Sequence, residues 1–275
     1  MQAHEVAPEI INFYTTAYDE VTRLSSVAHG ELEYLRTQEL LRRHLPAAPA
    51  AVLDVGGGPG VHARWLVSDG YTVHLVDPVE RHLQQALASS GCTAERGDAR
   101  ALTAADRSYD TVLLLGPLYH LTERADRIQA LREARRVLRP AGFMAAAAIS
   151  RHSGLLDLAA TARLAPASAD ALLPVLASGR HDGQLGFTTA YFHTAEELRS
   201  EVIDAGFTDV RLYGVEGPAW PTLMGIERHT GQSLTGSPLL ASALTAARIA
   251  ESDPALMASS SHILAIGRTP ADSGS

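Results

Sequence analysis

The segment VLDVGGGPG (52–60) decides how the rest of the sequence is interpreted. An apolar stretch typical of a strand leads directly into glycines, and HARWLVSDG (62–70) then has the composition of a short helix. Glycines in such a loop let the backbone come close to a ligand, and the N-terminus of the following helix attracts negative charge. The segment therefore predicts the first strand, loop and helix of an open α/β sheet that binds a cofactor at this loop.

Strands and helices alternate through the next hundred residues, which predicts βαβ units and a parallel sheet. A helix predicted over 122–138 ends at RPAG (139–142), a proline-glycine stop. The last two strands, predicted in FTDVRLYGV (207–215) and SHILAIGR (261–268), are expected to be antiparallel at the sheet edge. The first five strands are predicted in AVLDV (51–55), YTVHLVD (71–77), residues 92–95, SYDTVLLLG (108–116) and FMAAAAIS (143–150).

Segments outside this alternation predict additional parts of the fold. Apolar residues recur at helical spacing over 9–45, which predicts two helices before the first strand. Thr194 and Glu197 form a capping-box pattern where the alternation resumes. The predicted division is an N-terminal helical lid (1–45), a Rossmann-like core (46–150), a helical insertion that caps the acceptor (151–186), the rest of the sheet (187–268) and a disordered tail (269–275).

The composition excludes several classes of function. The chain has 275 residues, of which 46% are hydrophobic, as expected for a globular protein with one sizeable core. All 23 basic residues are arginine, so a Walker phosphate loop and a Schiff-base lysine are both excluded. The net charge of −8 argues against a nucleic-acid surface.

The sequence also carries an expectation about location, assembly and metals. No apolar run approaches the length of a membrane span, the N-terminus lacks a signal peptide, and there is a single cysteine, Cys92. These features predict a cytoplasmic protein, which we expect to be a monomer or a homodimer. The 12 histidines show no HxxxH spacing, so no metal is expected.

The glycine loop departs from the dinucleotide fingerprint G-x-G-x-x-G, because valine stands at position 61 where the third small residue should be. The pattern present is D-x-G-x-G-x-G, made by Asp54, Gly56, Gly58 and Gly60. Two further carboxylates follow successive strands. Asp77 ends the second strand, where it can accept both hydroxyls of a ribose or cap the next helix, and Asp98 in GDAR (97–100) can accept an adenine amino group or belong to a turn.

These motifs together resemble the class I S-adenosylmethionine (SAM) methyltransferases. VLDVGGGPG, VHLVDP (73–78), GDAR, YDTVLLLG (109–116) and REARRVLRPAGF (132–143) match the motifs of that family in order. The resemblance implies a Rossmann-like α/β fold with a seven-stranded, mostly parallel sheet in the order 3-2-1-4-5-7-6, in which strand 7 is antiparallel.

The resemblance also implies a cofactor site. The loop glycines would pass the methionine moiety, Asp77 with Pro78 would hold the ribose, and Asp98 with Ala99 the adenine. The carbonyl of Leu115 would bind the methionine ammonium. Tyr14 and Tyr18 lie on an N-terminal helix that in similar enzymes folds over SAM, although core packing is an equal interpretation of Tyr18.

Residues LGPLYH (115–120) follow the fourth strand, where the methyl acceptor should bind. Enzymes that methylate adenine or protein amides carry (N/D/S)-P-P-(Y/F) there, whereas this chain has Gly-Pro-Leu-Tyr, which argues against nucleic acid as the acceptor. His120 is the candidate general base, with a helix-start role as the alternative. Glu216 is a candidate to orient that histidine or the substrate. The candidate substrate-binding residues are Tyr18, Tyr119, Tyr191, His193 and Trp220.

The sequence therefore predicts a SAM-dependent methyltransferase similar to bacterial enzymes of natural product biosynthesis. The partner is expected to be a small-molecule acceptor, aromatic or heteroaromatic, with indole-type metabolites as one subset. Two alternatives remain open: a SAM-binding enzyme that does not transfer methyl, such as a cyclase, and an NAD-dependent oxidoreductase.

Overall fold

The computed structural model describes residues 6–17, 20–183 and 185–271. Its main sheet has seven strands in the order β3-β2-β1-β4-β5-β9-β8. Numbered within this sheet alone, the order is 3-2-1-4-5-7-6, so the predicted topology is confirmed. The strands are β1 (Ala51–Val55), β2 (Thr72–Asp77), β3 (Thr93–Arg96), β4 (Tyr109–Leu114), β5 (Leu138–Ile149), β8 (Thr208–Gly214) and β9 (His262–Arg268).

Strand direction brings distant residues to one edge of the sheet. Strands β1 to β5 are parallel, whereas β9 pairs antiparallel with both β5 and β8. The first residue of β9, His262, therefore pairs with Ile149, the last residue of β5. The beginning of β9 lies at the same edge as the carboxyl ends of the parallel strands, where open α/β sheets bind their ligands.

Helices cover both faces of the sheet. Successive residues of a strand point to opposite faces, so Val112 and Leu113 of β4 belong to two different hydrophobic clusters. The helices that flank the sheet are α3 (Ala28–Arg42), α4 (Val61–Ser68), α5 (Glu80–Ser89), α6 (Arg124–Val137) and α9 (Ala195–Asp204). The first residues of α9 contain the predicted capping box, with Glu197 N donating to Thr194 Oγ1 at 3.2 Å.

The N-terminal region differs from the two long helices predicted for it. The structure has a short α1 (Pro8–Asn12), a π-helical turn (Phe13–Ala17) and a short α2 (Glu20–Arg23) before α3. Ser25 and Ser26 lie in the break before α3, where the hydroxyl of Ser25 bonds to the carbonyl of Thr22. Serine competes in this way with helical hydrogen bonding, which explains why the helical pattern stops here.

Two helices fall within the predicted insertion, α7 (Ser153–Ala160) and α8 (Pro166–Ser178). A hairpin of β6 (Arg180–Asp182) and β7 (Thr189–Tyr191) follows them and was not predicted. Three further helices were not predicted: α10 (Trp220–Thr230), α11 (Pro238–Ala250) and α12 (Pro254–Met257). Within the described residues, no helix has the length and apolarity needed to cross a membrane.

Candidate functional site

Two cavities of about 280 Å³ each lie at the carboxyl edge of the sheet. The first, called the loop cavity here, is bounded by the glycine loop, the ends of β2 and β4 and the turn after β3. Nine of the ten predicted cofactor residues line it: Tyr14, Asp54, Gly56, Gly58, Asp77, Pro78, Asp98, Ala99 and Leu115. The tenth, Gly60, does not line it but is the N-cap of α4, with a φ of +79° and with Ala86 Cβ 3.1 Å from where a Cβ would lie.

The glycine loop needs glycine for its backbone shape and for its packing. Gly56 and Gly58 have φ values of +69° and +56°, in the left-handed region that favours glycine. A Cβ on Gly56 would lie 2.9 Å from Cδ of Pro117, so the loop also packs tightly against the segment that follows β4. Because these glycines have no side chains, the loop borders the cavity without filling it.

Asp77 connects the loop to the second strand. Its Oδ2 accepts a hydrogen bond from Gly58 N at 2.9 Å, and its Oδ1 accepts one from Val79 N at 2.9 Å. The N-cap of α5 is Val79 and not Asp77, so the capping alternative is wrong in detail. Each carboxylate oxygen has two lone pairs, so Asp77 can organise the loop and still accept from a ligand.

Asp98 has a partner that the sequence analysis missed. Arg100, two residues later, donates to both oxygens of Asp98, at 2.7 Å from Nη2 and 3.0 Å from Nε. The same guanidinium bonds to Asp126 at 2.9 Å. Asp98 is therefore fixed in orientation by a buried arginine, which also lines the loop cavity.

Asp54 is a buried acid without a counter-charge. It is only 1% exposed, and neither of its carboxylate oxygens has a hydrogen-bond partner among the described residues. Burial, with a smaller contribution from the nearby carboxylate of Asp77, raises the pKa of Asp54 to about 7. An isolated buried carboxylate is costly, so a positively charged ligand in this cavity would be favoured.

His120 lies at the end of the segment after β4, as predicted, in a 3₁₀ turn (Leu118–His120). Its Nε2 is 2.8 Å from the hydroxyl of Tyr14, and its ring stacks on Phe187 with 5.8 Å between centroids. Burial lowers the pKa of His120 to about 4, although the backbone of Thr189 and the carboxylate of Asp77 offset part of the effect. The ring is thus neutral at physiological pH and is a weak base.

The second cavity, called the cap cavity here, is walled largely by the insertion and by α10. Aromatic and aliphatic side chains, including Leu172, Phe187, Phe192 and Trp220, form nearly half of its wall, and polar or charged side chains form much of the rest. Five residues line both cavities and so mark their boundary: Tyr14, Arg23, Glu33, Tyr119 and His262. His120 lines the loop cavity alone, while Tyr119 reaches both.

A charged cluster lies at this boundary, made by Arg23, Glu33, Glu216 and His262. Arg23 forms two hydrogen bonds to Glu33, at 2.6 and 2.9 Å. Glu216 is 1% exposed and accepts from His262, at 2.6 Å from Nδ1 and 2.9 Å from the backbone N. Glu216 therefore orients His262, and the expectation that it orients His120 is wrong.

The pKa values in the cluster follow from these contacts. Burial alone would lower the pKa of His262, but the charges of Glu33 and Glu216 raise it to about 9. Burial would raise the pKa of Glu33, but Arg23 and His262 hold it well below its usual range. The imidazole is thus charged at neutral pH, and each carboxylate has a cationic partner.

Two predicted substrate residues lie away from both cavities. His193 is fully buried, 3.2 Å from Glu201, and Tyr191 donates to Glu197 at 3.1 Å. Arg127 bonds to Glu201 and lies 3.8 Å over the Tyr191 ring, so these residues form a buried ion-pair network between α6 and α9. Trp220, which was predicted to bind substrate, lines the cap cavity, and Tyr18 lies outside the described residues.

Comparisons with known proteins identify the fold and the core motifs. Residues 52–142 match a family model described as a methyltransferase domain. A curated relative, methyltransferase GfsG of Streptomyces halstedii, is 37% identical over 134 residues, which cover 46% of this chain and 47% of that protein. Residues 52–142 therefore belong to the methyltransferase domain family, and the fold is that of class I SAM-dependent methyltransferases. The chain spans only about half, or less than half, of the length of these curated relatives.

Two further methyltransferases extend this comparison. A ubiquinone biosynthesis O-methyltransferase of Methylobacterium nodulans is 28% identical over 179 residues, covering 63% of this chain and 66% of that protein. The crystal structure of a SAM-dependent methyltransferase from Thermotoga maritima has a TM-score of 0.58 at 18% identity, over 94% of this chain and 98% of that one. At that identity the likeness shows the fold alone.

The residues of the loop cavity suit SAM, the methyl donor of this methyltransferase family. SAM is positively charged at sulfur and at its ammonium, and Asp54 supplies a buried carboxylate that lacks a partner among the described residues. The glycine loop supplies backbone that a ligand can approach closely. Asp77 and the oriented Asp98 supply acceptors for hydroxyl and amino groups.

Sequence reasoning missed the cluster at the boundary because its members are far apart in the chain. The sequence did contain one signal, a polar residue next to an apolar strand. His262 begins one such strand, and Tyr119 and His120 follow another. A polar residue at the start of an antiparallel strand lies at the same edge as polar residues that end parallel strands. His262 would have been found if polar residues had been sought at the starts of antiparallel strands as well as at the ends of parallel ones.

Proposed function

We propose that this protein transfers the methyl group of SAM to a small-molecule acceptor with an aromatic or heteroaromatic body. SAM supplies a methyl group on a charged sulfur, whose carbon–sulfur bond breaks with the electron pair remaining on sulfur. The chain supplies position and exclusion of water, which account for most of the rate in such a displacement. The single observation that carries the proposal is the pair of cavities that share one boundary.

The loop cavity is proposed to hold SAM in the family orientation. Asp77 would accept from the ribose, Asp98 and the backbone of Ala99 would bind the adenine, and the carbonyl of Leu115 would accept from the ammonium. Asp54 would balance the positive charge of the cofactor from below the glycine loop, because it has no other cation within the described residues.

The cap cavity is proposed to hold the acceptor. Its wall includes Phe187, Phe192 and Trp220, and the Trp220 indole is fixed by a hydrogen bond from Nε1 to the carbonyl of Ser259 at 2.8 Å. Flat aromatic walls of this kind favour a flat apolar ligand. The insertion contributes the outer wall, so its sequence would set which acceptor fits.

His120 is proposed to position Tyr14 and not to remove a proton. Its contact with the hydroxyl of Tyr14 ties the N-terminal π-helical turn to the segment after β4, directly over the loop cavity. The depressed pKa of His120 disfavours a role as general base at neutral pH.

Isothermal titration with SAM and with S-adenosylhomocysteine (SAH) tests the cofactor assignment. We expect wild-type protein to bind both, and Asp77→Ala to weaken binding more than about tenfold, because it removes a charge-assisted acceptor and loosens the loop. Asp106→Ala is the matched control, since its carboxylate is exposed and, among the described residues, pairs with Arg136 alone.

A second measurement separates methyl transfer from the two alternatives. Aromatic metabolites would be incubated with SAM labelled in the methyl group, and both labelled product and SAH would be quantified. Turnover of a substrate without SAH would indicate a cyclase-like reaction. Saturable tight binding of NADH would instead favour an oxidoreductase and overturn the proposal.

A further inference from the structure

The imidazole of His262 is placed where the two cavities meet. It lines both of them, and its Nδ1 is held by Glu216 at 2.6 Å, with Glu33 at 3.8 Å from the same atom. Both carboxylates therefore lie on the Nδ1 side of the ring. The other ring nitrogen, Nε2, has no hydrogen-bond partner among the described residues.

The charges around His262 decide which ligand it can hold. Glu33 is neutralised by the two hydrogen bonds from Arg23 on α2, and Glu216 by His262 itself. The charge of each carboxylate is thus already balanced by a cation of the protein, which disfavours a cationic acceptor such as an amine. His262 itself offers one N–H donor, Nε2–H, on a ring that carries positive charge.

We propose that His262 is an acceptor-binding residue whose Nε2–H holds an ionised oxygen of the acceptor, a phenolate or a carboxylate, at the boundary of the two cavities. This inference rests on the proposed function. The oxygen held there would be the one facing the cofactor. Its proton would leave to solvent, and His262 would keep its own proton throughout.

The pair of carboxylates behind the ring supports this assignment. They raise the pKa of His262 to about 9, so the ring stays charged over the physiological range. The titratable neighbours on the adjoining elements do not compete for this role. Burial lowers the pKa of His62 on α4 to about 4 and lowers that of His29 on α3, so both rings are neutral beside the cluster.

A coloured phenol tests the proposal without knowledge of the natural acceptor. 4-Nitrophenol absorbs in the visible only when ionised, so its ionisation can be followed in the protein–SAH complex across pH. We expect the bound dye to ionise about one pH unit or more below the free dye, because a fixed cation near a phenol favours the anion. His262→Gln should abolish this shift, and SAH binding is measured in the same variant so that the dye is compared only between SAH-saturated proteins.

Three comparisons make the test decisive. His152→Gln is the matched control, because His152 is exposed and lines neither cavity, and it should keep the full shift. Glu216→Gln should retain less of the shift, because the ring loses a carboxylate that keeps it charged. 4-Nitroanisole, which cannot ionise, should bind at least tenfold more weakly than 4-nitrophenol.

The results distinguish a failure of the proposed methyl transfer from a failure of the inference about His262. Failure of SAH to bind would overturn the proposed function itself. SAH binding with no shift of the dye, or 4-nitroanisole binding as tightly as 4-nitrophenol, would overturn the inference about His262 alone. If 4-nitrobenzoate competes with the dye in wild-type protein but not in His262→Gln, the oxygen held by His262 is a carboxylate. If 4-nitrobenzoate does not compete in wild-type protein, the oxygen is a phenolate.

Discussion

The two cavities differ in how their buried carboxylates are neutralised. In the loop cavity, Asp54 is fully enclosed and has no cation among the described residues. At the boundary with the cap cavity, Glu33 is paired with Arg23 and Glu216 with His262. The difference indicates that the loop cavity requires positive charge from its ligand, whereas the cap cavity does not. That is the division expected between a sulfonium cofactor and an uncharged or anionic acceptor.

The largest effect that this comparison predicts concerns Asp54 in the ligand-free protein. Its pKa is raised from 3.8 to about 7, so the folded state binds the proton more tightly than the unfolded chain. The free energy of unfolding is unaffected below about pH 4, falls as the pH rises toward 7, and stays reduced above it. A pKa difference of about three units between the folded and unfolded states corresponds to roughly 4 kcal/mol in the free energy of unfolding.

Asp54→Asn removes this pH-dependent loss. We expect the variant to be more stable than wild type at pH 8 by several degrees in Tm, and by much less at pH 5, when unfolding is followed without SAM. Asp106→Asn, at an exposed position, should show no such difference. Equal stability of Asp54→Asn and wild type at pH 8 would mean that Asp54 already has a cationic partner.

The residues of the loop cavity could largely be predicted from the sequence, whereas those of the acceptor side could not. Apart from Tyr14, each predicted cofactor residue lies within a few residues of a strand end, and nine of the ten predicted residues line the loop cavity. Gly60 does not line it, and a glycine that precedes a helix looks the same in sequence as one that approaches a ligand. Arg100 was missed because its effect on Asp98 depends on side-chain geometry.

The acceptor side could not be predicted in the same way. Its cluster joins residues 23, 33, 216 and 262, and no local pattern links them. The antiparallel direction of β9, which the resemblance implied, was enough to place His262 at the ligand edge. The helices α10 and α11, which were not predicted, pack against α3 through Leu32, Leu223 and Ala243.

The next effect in size concerns His120, which lines the loop cavity next to the boundary residue Tyr119. His120→Gln removes the imidazole beside Tyr14, so we expect SAM to bind several-fold more weakly and kcat to fall by about tenfold at most. The pH–rate profile between pH 5.5 and 8 should keep its shape, because a group with a pKa of about 4 does not titrate there.

A different result would restore the role of His120 as a general base. Loss of an ionisation near pH 6.5, together with a fall in kcat of about 10²-fold or more and unchanged SAM affinity, would be the expected signature. His152→Gln serves as the control for a histidine that lines neither cavity. The profiles would be measured with the acceptor that gives the most labelled product.

The smallest predicted effect compares two neighbouring residues, Tyr191 and Phe192. Tyr191→Phe keeps the ring under Arg127 and removes the hydroxyl, which donates to Glu197 at 3.1 Å and accepts from Arg151 Nη2 at 3.4 Å. Glu197 still accepts from Thr194 N at 2.8 Å and pairs with Arg151. The carboxylate is therefore not left alone, and we expect the free energy of unfolding to fall by only about 1 kcal/mol.

Phe192→Leu should give the opposite pattern, because Phe192 lines the cap cavity and Tyr191 does not. We expect the KM for the acceptor to rise several-fold in Phe192→Leu, with SAM affinity unchanged, whereas Tyr191→Phe should leave both constants at wild-type values. Urea unfolding measures the stability of each variant, so a loss of fold is separated from a loss of binding. If Tyr191→Phe raised the KM as much as Phe192→Leu, the buried network of Tyr191, Arg127 and Glu201 would have to be counted as part of the acceptor site.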